Sequence, residues 1–250
     1  YLQVFNRLEH YAILNQNLDK IEIIVMGGTF PAMPKMYKKR FITETFQAIN
    51  DFSDLFFIDN QLDFEKFKDF FELPADLNDA KRIENVHNKL LKLKKESNLE
   101  YEKERNETSK VRCIGLTIET RPDCGNLEEG NEILELGGTR VELGIQSVYN
   151  EDLEFVKRGH TVEDSVNSIR ILKDLGFKIN VHYMLGLTEN RKKDLEGLKK
   201  LFSDPNFRPD MLKIYPCLVM PGTELHDLWE KREYNPLTTE EAAGIISEAK

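Results

Sequence analysis

The chain has 250 residues, of which 40% are hydrophobic and 32% are charged, and its net charge at pH 7 is −9. This composition is typical of a folded globular protein and excludes a chain whose whole surface binds nucleic acid, although it allows a local basic patch. No apolar run reaches the ~20 residues of a membrane span, so we expect a cytoplasmic protein without a membrane partner. The three cysteines, Cys113, Cys124 and Cys217, suit a reducing compartment, and their spacing fits neither a zinc site nor a usual iron–sulfur cluster.

The first half of the chain predicts helices around one strand. An apolar run predicts a strand over 21–26, which ends at the loop formed by residues 27–29, and a long helical region begins near Lys35. Residues 51–110 are irregular and highly charged, and we predict two helices there with a mobile loop near 97–109. The apolar residues that share one face of the opening helix are Leu2, Phe5, Leu8 and Ala12.

The second half alternates strands with helices. Gly137 and Gly138 are typical of a helix end, and Thr161 with Asp164 resembles a capping box. The strands are predicted over 111–119, 139–146, 178–185 and 211–215. The helices are predicted over 127–136, from Thr161 to Gly176 and over 191–202, and two further helices finish the chain. This order predicts parallel strands joined by crossover helices, in an open doubly wound sheet or part of a barrel.

Four of these strands carry one apolar and one polar face, since side chains alternate along a strand. A doubly wound sheet would be apolar on both faces, and a closed eight-stranded barrel would fill its interior with aliphatic side chains. We therefore predict a wide or incomplete barrel with a ligand inside. The residues that would line its cavity are Thr117, Glu119, Glu142, Gln146, Asn180, His182, Lys213 and Tyr215. The alternative is that these groups only pair with one another, at a high desolvation cost.

Basic clusters punctuate the acidic chain. The ordinary interpretation of such a cluster is a solvated helix face, and contact with a polyanion is the alternative. The clusters are Lys35/Lys38/Lys39/Arg40, Lys92/Lys94/Lys95, Arg105/Lys110/Arg112 and Arg191/Lys192/Lys193.

Seven stretches, found in the same order along nearly the whole chain, carry a family resemblance. The sequence resembles the radical S-adenosylmethionine (SAM) domain of the catalytic subunit of Elongator, the enzyme that carboxymethylates the wobble uridine of tRNA. "TIETRPD", "ELGIQSVY" and "FRPDMLKIYP" together are highly specific. The matching stretches are "YLQV", "DKIEIIVMGGTF", "CIGLTIETRPD", "GGTRVELGIQSVY", "RGHTVEDS", "GFKINVHYM" and "FRPDMLKIYPCLVMPGTELHDLW".

The resemblance implies an incomplete (β/α)6 barrel that forms one domain over residues 1–250 and lacks its first strand. In the family, a three-cysteine loop that binds a 4Fe–4S cluster precedes the "YLQV" position, and an acetyltransferase domain follows the barrel. Neither is present here, and the chain has no initiator methionine, so we expect a fragment of a longer enzyme that is inactive alone. Two local departures from the family are "LGLTENRKK" after His182 and "PDCGNLEE" after Arg121.

The implied reaction is radical, SAM-dependent and acetyl-CoA-dependent carboxymethylation of C5 of uridine 34 in tRNA. The resemblance assigns SAM binding to Gly27, Gly28, Thr29, Glu119, Gln146, Arg158 and His182, with the two glycines allowing close backbone approach. It assigns Lys20 to acetyl-CoA. Lys213 and Tyr215 are predicted to face the cavity, where they could orient the acetyl carbonyl or the uracil. The ordinary interpretation of the loop 27–29 is a plain turn, and that of Glu119 is an ion pair with Arg121 or Arg140. Gln146 and His182 could be hydrogen-bonded core residues, and Arg158 and Lys20 could be solvated cations.

Two other functions fit parts of the pattern. A barrel lyase could use Glu142 as acid/base and Lys213 as a Schiff-base lysine, and a non-catalytic scaffold could bind tRNA or partner subunits. The partners expected for the enzyme are tRNA, acetyl-CoA, its own acetyltransferase domain, a second copy in a homodimer, and accessory Elongator-type subunits. No metal ligand is expected within the chain itself.

Overall fold

The computed structural model describes residues 1–27, 29–76 and 78–249. The chain divides into two compact units, one formed by Tyr1–Ile23 with Met33–Leu116, and the other by Ile24–Ala32 with Thr117–Lys250. Each unit is described by itself. The prediction of one domain over residues 1–250 stays a prediction.

The first unit is mainly helical. Its helices are α1 (Leu2–Ile13), α2 (Lys35–Phe56), α3 (Phe64–Phe70), α4 (Ala80–Leu93) and α5 (Leu99–Thr108). Its strands are most of β1 (Lys20–Val25), the short antiparallel pair β2 (Phe57–Ile58) and β3 (Gln61–Leu62), and the start of β4 (Arg112–Thr120). The predicted strands 21–26 and 111–119 are therefore confirmed to within one residue.

Phenylalanine rings form the core of this unit. Phe5, Phe52, Phe56, Phe67 and Phe71 are fully buried, and their rings meet at centroid distances such as 5.0 Å between Phe52 and Phe56. Edge-to-face contacts of this kind add to the large apolar area that each ring buries. The α1 face predicted from its spacing is confirmed in part, because Phe5, Leu8 and Ala12 are buried while Leu2 is partly buried.

The predicted mobile loop near 97–109 is wrong, since α5 occupies most of it. The Asn98 side chain caps the helix by accepting a hydrogen bond from the N–H of Tyr101. Two of the residues that α5 buries, Glu102 and Asn106, are polar, and both bond the amide of Asn50 on α2. Because the buried face of α5 is largely polar, its sequence lacks the helical spacing of apolar residues. The charged sequence therefore predicted a loop. Residues 51–110 also hold three helices beyond α2, one more than predicted.

The second unit alternates strands with helices, as predicted. Its strands are the end of β4, β5 (Arg140–Gln146), β6 (Lys178–Leu185) and β7 (Met211–Pro216). Its helices are α6 (Leu127–Glu135), α7 (Asn150–Phe155), α8 (Val162–Asp174), α9 (Arg191–Ser203), α10 (Glu224–Glu230) and α11 (Thr239–Ala249), with 3-10 turns at Phe30–Ala32 and Pro122–Cys124. The predicted capping box is complete: Thr161 accepts from the N–H of Asp164, whose carboxylate accepts from the N–H of Thr161.

Parallel pairing brings the polar positions of neighbouring strands side by side. The five-stranded sheet has the order β1-β4-β5-β6-β7, and the pairs β4–β5, β5–β6 and β6–β7 are parallel. Glu119 lies opposite Glu142, Glu142 opposite Asn180, and His182 opposite Lys213. In the described part of the chain, no helix combines the length and the hydrophobicity that a membrane crossing requires.

Candidate active site

Both faces of the sheet are buried in the second unit, but with different chemistry. The apolar face holds Ile118, Val141, Leu143, Ile145, Ile179, Val181 and Tyr183. The other face holds Thr117, Glu142, Gln146, Asn180 and His182, and each of these is also buried. The predicted alternation of apolar and polar faces is therefore confirmed. Buried polar side chains require partners, and these partners define the candidate site.

The Glu142 carboxylate is the centre of a hydrogen-bonded group. Its Oε2 lies 2.7 Å from Nε2 of His182, and its Oε1 accepts a hydrogen bond of 3.1 Å from the amide of Asn180. On the other side, Nδ1 of His182 lies 3.7 Å from Oε1 of Glu119, which is partly exposed. The alternative that the polar residues pair with one another is thus realised for these four. One hydrogen-bonding atom of the group is left over, because Oδ1 of Asn180 is buried and has no partner among the described residues.

Gln146 ends β5 in a conformation that the regular strand would not give. Its φ is +64°, and the register between β5 and β6 shifts between Leu143 and Gln146. A bulge of this kind re-aims a side chain at the end of a strand. The Tyr215 hydroxyl on β7 donates a 2.7 Å hydrogen bond to Oε1 of Gln146. Burial raises the pKa of Tyr215, so this hydroxyl stays protonated and acts as the hydrogen-bond donor to the amide oxygen.

Arg158 approaches the backbone at Gly144. Its Nη2 lies 3.4 Å from the Gly144 carbonyl oxygen, and a Cβ at Gly144 would lie 2.9 Å from the same nitrogen. The missing side chain therefore leaves the space that the guanidinium occupies. The Arg158 Nε is buried and has no partner among the described residues. Burial, followed by the charge of Arg121, lowers the pKa of Arg158 from its usual value.

A guanidinium with an unsatisfied N–H is suited to binding a carboxylate or a phosphate. Beside it lies a cavity of about 460 Å³, a volume in the range of small-molecule sites. The wall of this cavity is mostly apolar, and Lys157, Thr223 and Glu224 are polar lining residues besides Gln146 and Arg158. The lining includes Gln146, Arg158, Met184, Leu187, Cys217 and Met220. The arrangement can therefore hold a ligand that has an anionic end and an apolar or aromatic body.

The glycine-rich loop is only partly described. Gly27 has φ +92°, which favours glycine, while a Cβ there would meet no atom within 4 Å. The backbone conformation, and not crowding within the protein, therefore explains this glycine. Thr29 is half-buried, and its carbonyl accepts a 2.9 Å hydrogen bond from the N–H of Ala32. The predicted role of Gly28 falls outside the described residues.

Both of the predicted lysines are exposed. Lys213 is exposed although its strand neighbour His182 is buried, so the structure brings Tyr215 into the group and leaves Lys213 out. A Schiff-base lysine must be desolvated to lose its proton at neutral pH, and exposure does not provide this. Lys20 is the first residue of β1 in the other unit, where it is exposed and lines a cavity with Lys110 and Arg112.

Two polar residues near the site were not predicted. His160 is buried, its Nε2 lies 3.2 Å from the Ile145 carbonyl, its Nδ1 has no partner among the described residues, and burial lowers its pKa. Thr120, at the end of β4, has a buried hydroxyl that lacks a described partner. His160 shares the stretch "RGHT" with Arg158, which was a usable signal. Thr120 falls on the apolar side of the alternation, so the pattern hid it.

The arginines considered as ion-pair partners of Glu119 also have contacts elsewhere. Arg121 forms an ion pair with Asp123, at 2.8 Å. Arg140 donates to the hydroxyl of Thr117, also at 2.8 Å. Glu119 itself lies beside His182 and is partly exposed.

The cysteines do not assemble a metal site. Cys113 is partly buried within β4, where burial raises the pKa of its thiol to about 11. Cys124 lies in a 3-10 turn and Cys217 is buried after β7. Among the described residues, the one group of three potential metal ligands is His226, Asp227 and Glu230, which contains no cysteine. The residues present therefore do not fit an iron–sulfur cluster.

Comparison with known proteins identifies the family to which the chain belongs. Residues 5–202 match the family described as the Radical SAM superfamily, and residues 209–250 match the Radical_SAM C-terminal domain. The chain belongs to the radical SAM superfamily. Membership implies a 4Fe–4S cluster and SAM, and the predicted fold class, a partial α/β barrel with parallel strands, is confirmed.

Individual relatives confirm the resemblance to the Elongator catalytic subunit. The chain is 41% identical to the "tRNA uridine(34) acetyltransferase" of Methanocaldococcus jannaschii, with 100% of this chain and 39% of that protein aligned. It is 34% identical to human "Elongator complex protein 3", with 99% of this chain and 38% of that protein aligned. The solved structure of Methanocaldococcus infernus Elp3 with an N-terminal deletion is similar, with a TM-score of 0.81 and 39% sequence identity. The similarity covers 100% of this chain and 49% of that chain. The chain thus spans about two fifths of these curated relatives.

Proposed function

We propose that this chain is the radical SAM part of an enzyme that carboxymethylates C5 of uridine 34 in tRNA, with acetyl-CoA as the carbon donor. The observation that carries the proposal is the similarity, along the whole chain, to relatives whose names include tRNA uridine(34). Because the chain aligns with 39% of those relatives, the activity is proposed for the whole protein to which it corresponds.

The chemistry of the substrate favours this assignment. C5 of uridine carries no leaving group, and the methyl group of an acetyl thioester is only weakly acidic, so ionic coupling of the two carbons is difficult. When bound, the cluster and SAM would supply hydrogen-atom abstraction from such an unactivated C–H bond. The part left to the chain is to bind, orient and shield the reactants.

In this proposal Arg158 binds the SAM carboxylate. The support is its buried Nε without a described partner and the room that Gly144 leaves for its guanidinium. Gln146 would contact SAM through its amide nitrogen, because Tyr215 occupies the amide oxygen and so fixes the orientation of the group. Gly27 and Thr29 would contact the methionine part, and Gly28 is assigned there with them.

The Glu119, His182 and Glu142 group is proposed to lie on the nucleoside side of SAM. Glu142 holds the ring of His182 from one side, and Glu119 is the partly exposed carboxylate of the three. A carboxylate that solvent still reaches can accept hydrogen bonds from ribose hydroxyls. The apolar wall of the adjoining 460 Å³ cavity would exclude water from the reaction. Lys20 is proposed to bind acetyl-CoA because it matches a lysine of the family. Tyr215 and Lys213 are proposed, from their strand positions, to orient the acetyl group or the uracil.

The test uses the full-length protein with its cluster reconstituted without oxygen. We expect reductant-dependent release of 5′-deoxyadenosine from SAM, and a carboxymethylated uridine in tRNA that requires acetyl-CoA. Arg158→Ala and Gln146→Ala should weaken SAM binding, whereas Glu154→Ala, at an exposed position on α7, should not. If the reconstituted protein does not release 5′-deoxyadenosine from SAM, the radical mechanism is contradicted. If the product forms without acetyl-CoA, the assignment of acetyl-CoA as the carbon donor is contradicted.

The lyase alternative has its own test. Borohydride reduction in the presence of carbonyl substrates should leave Lys213 unmodified, since this exposed lysine lacks the desolvation that a Schiff-base amine needs. A trapped adduct on Lys213, detected by peptide mass spectrometry, would favour the lyase.

A further inference from the structure

A second cavity, within the first unit, lies between α2 and the segment 94–98 that follows α4. Its volume is about 550 Å³. We name it the α2 groove. The side chains on which the argument rests are Met36, Lys39, Arg40, Lys94, Lys95 and Glu44. The amide of Gln47 donates a 2.8 Å hydrogen bond to the Lys95 carbonyl, which fixes the 94–98 side of the groove to α2.

The lining of the groove is net positive in a chain that is strongly acidic. Its four cations, Lys39, Arg40, Lys94 and Lys95, outnumber the carboxylates of Glu44 and Glu96. Because the net charge of the whole chain is −9, this local excess of cations favours a polyanion as the ligand.

The cations of the groove are available to a ligand. Lys39 pairs with Glu100 at 3.3 Å and Arg40 pairs with Glu44 at 2.8 Å, and Arg40 and Glu100 are largely exposed. Exposed pairs of this kind contribute little free energy, so phosphate oxygens can replace the carboxylates. Glu44 also accepts from Lys94 at 2.7 Å, so it keeps one partner when Arg40 turns to a phosphate.

Apolar side chains stand exposed beside the cations. Met36 is 77% exposed and Tyr37 is 48% exposed. The Tyr37 ring packs against Phe41 at a centroid distance of 6.1 Å, which supports one side of the ring and leaves part of it open. Aromatic rings interleaved with cations are typical of single-stranded nucleic acid sites, where the bases stack on the rings and the phosphates bind the cations.

We propose that the α2 groove binds the sugar–phosphate backbone of the tRNA substrate, with Lys39, Arg40 and Lys95 on phosphates. Tyr37, which follows the groove residue Met36 on α2 but does not itself line the groove, would stack against an unpaired base. This inference rests on the proposed function, since it assumes that tRNA is the substrate. Charge complementarity selects RNA as the occupant, because its backbone carries a phosphate at every nucleotide and its unpaired bases can stack on an exposed ring.

The experiment measures tRNA binding by the full-length protein over a series of salt concentrations. The variant Lys39→Glu/Arg40→Glu should weaken tRNA affinity at least about tenfold near 0.1 M salt and lower the slope of log K against log salt by about 1–2. The matched control is Lys66→Glu/Lys81→Glu, which makes the same charge change at exposed positions of α3 and α4 and should stay within about twofold of the parent.

Variants of Tyr37 distinguish the contribution of base stacking to tRNA affinity from the contribution of charge. Tyr37→Ala should weaken tRNA binding several-fold without changing the salt slope, because a ring is lost and no cation is removed, and Tyr37→Phe should restore the affinity. Thermal unfolding of each variant establishes that it is folded, and Lys95→Glu provides a second charge variant should the double variant fail to fold.

The outcomes separate this inference from the function on which it rests. If the parent protein binds tRNA but the groove and control variants bind it equally well, the groove assignment is wrong and the function stands. The same conclusion follows if a subunit or domain of the enzyme, and not RNA, loses affinity for the groove variants. If the parent protein with its cluster intact does not bind tRNA, both proposals are overturned.

Discussion

Nε2 of His182 lies 2.7 Å from Oε2 of Glu142, across two neighbouring strands and with both side chains buried. Glu142 also accepts from Asn180, so one carboxylate satisfies two buried groups. Glu142→Ala should therefore lower the free energy of unfolding by about 2–5 kcal/mol, because it leaves both partners without an acceptor. Glu142→Gln should cost less, since its amide oxygen still accepts one hydrogen bond.

The measurement is chemical denaturation of both variants beside Glu154→Ala, an exposed glutamate on α7, which should shift the unfolding free energy by no more than about 0.5 kcal/mol. Equal losses for Glu142→Ala and the exposed control would mean that the hydrogen bonds of Glu142 contribute nothing to stability.

Gly144→Ala should separate ligand affinity from stability. The new methyl group would lie 2.9 Å from Nη2 of Arg158 and 3.1 Å from Nε2 of Gln146, and both atoms are the ends of side chains that can move. The fold should therefore lose less than about 1 kcal/mol, whereas displacing the charge-assisted contact of Arg158 should raise the dissociation constant for SAM about tenfold. Equilibrium binding of SAM to the full-length protein measures this dissociation constant.

The control for this substitution is Gly244→Ala on α11, where a Cβ meets no atom within 4 Å. It should leave SAM affinity unchanged and stabilise the helix by up to about 1 kcal/mol. Unchanged SAM affinity in Gly144→Ala as well would argue against the placement of Arg158 in the SAM site.

Asp194 should make stability depend on pH in an unusual direction. Its carboxylate accepts a 2.9 Å hydrogen bond from the N–H of Gly186, and burial raises its pKa from 3.8 to about 6. Between these values the folded state binds more protons than the unfolded state. Its contribution to stability is therefore full below pH 3.8 and is lost as the pH rises through about 6.

The measurement compares unfolding free energies at pH 4.5 and 7 for the parent and for Asp194→Asn. The variant should remove a decrease of about 1–3 kcal/mol between the two pH values, because its neutral amide does not titrate, while every other carboxylate is common to both proteins. Identical pH profiles would show that Asp194 keeps an ordinary pKa in the folded protein.

The sequence predicted the strands better than the contacts between them. Strands β4 to β7 lie within one residue of their predicted bounds, because a strict alternation of apolar and polar residues fixes both the element and its faces. Thr161 and Asp164 likewise predicted a helix start, since a capping box is a local pattern. Helix α5 was missed because its buried contacts are made by Glu102 and Asn106, whose partner Asn50 is about fifty residues away in the chain.

The candidate site shows the same division. The alternation correctly put Glu142, Asn180 and His182 on one buried face, but it could not give the bulge before Gln146 or the bond from Tyr215, which depend on the register of three strands. It also put Lys213 with them, although that side chain is exposed. A lysine stem is long enough to reach water from a position where a shorter polar side chain stays buried.

A buried ion pair in the first unit gives the last prediction. Arg82 on α4 and Glu9 on α1 form a salt bridge with both side chains almost fully buried, and Nε of Arg82 donates a 2.8 Å hydrogen bond to the Phe71 carbonyl. Arg82→Met should lower the free energy of unfolding by about 3–5 kcal/mol, because it leaves the Glu9 charge buried without its partner. The double variant Glu9→Met/Arg82→Met should recover most of this loss, since two apolar side chains of similar volume need no pairing.

The double variant should not recover all of it, because the Phe71 carbonyl still loses its donor, a deficit of about 1 kcal/mol. Lys68→Ala serves as the control: Lys68 pairs with the exposed Glu65 at 2.7 Å, and its loss should change stability by less than about 1 kcal/mol. A double variant as unstable as Arg82→Met alone would show that Arg82 acts through its packing and its bond to Phe71, and that the charge of Glu9 is neutralised in another way.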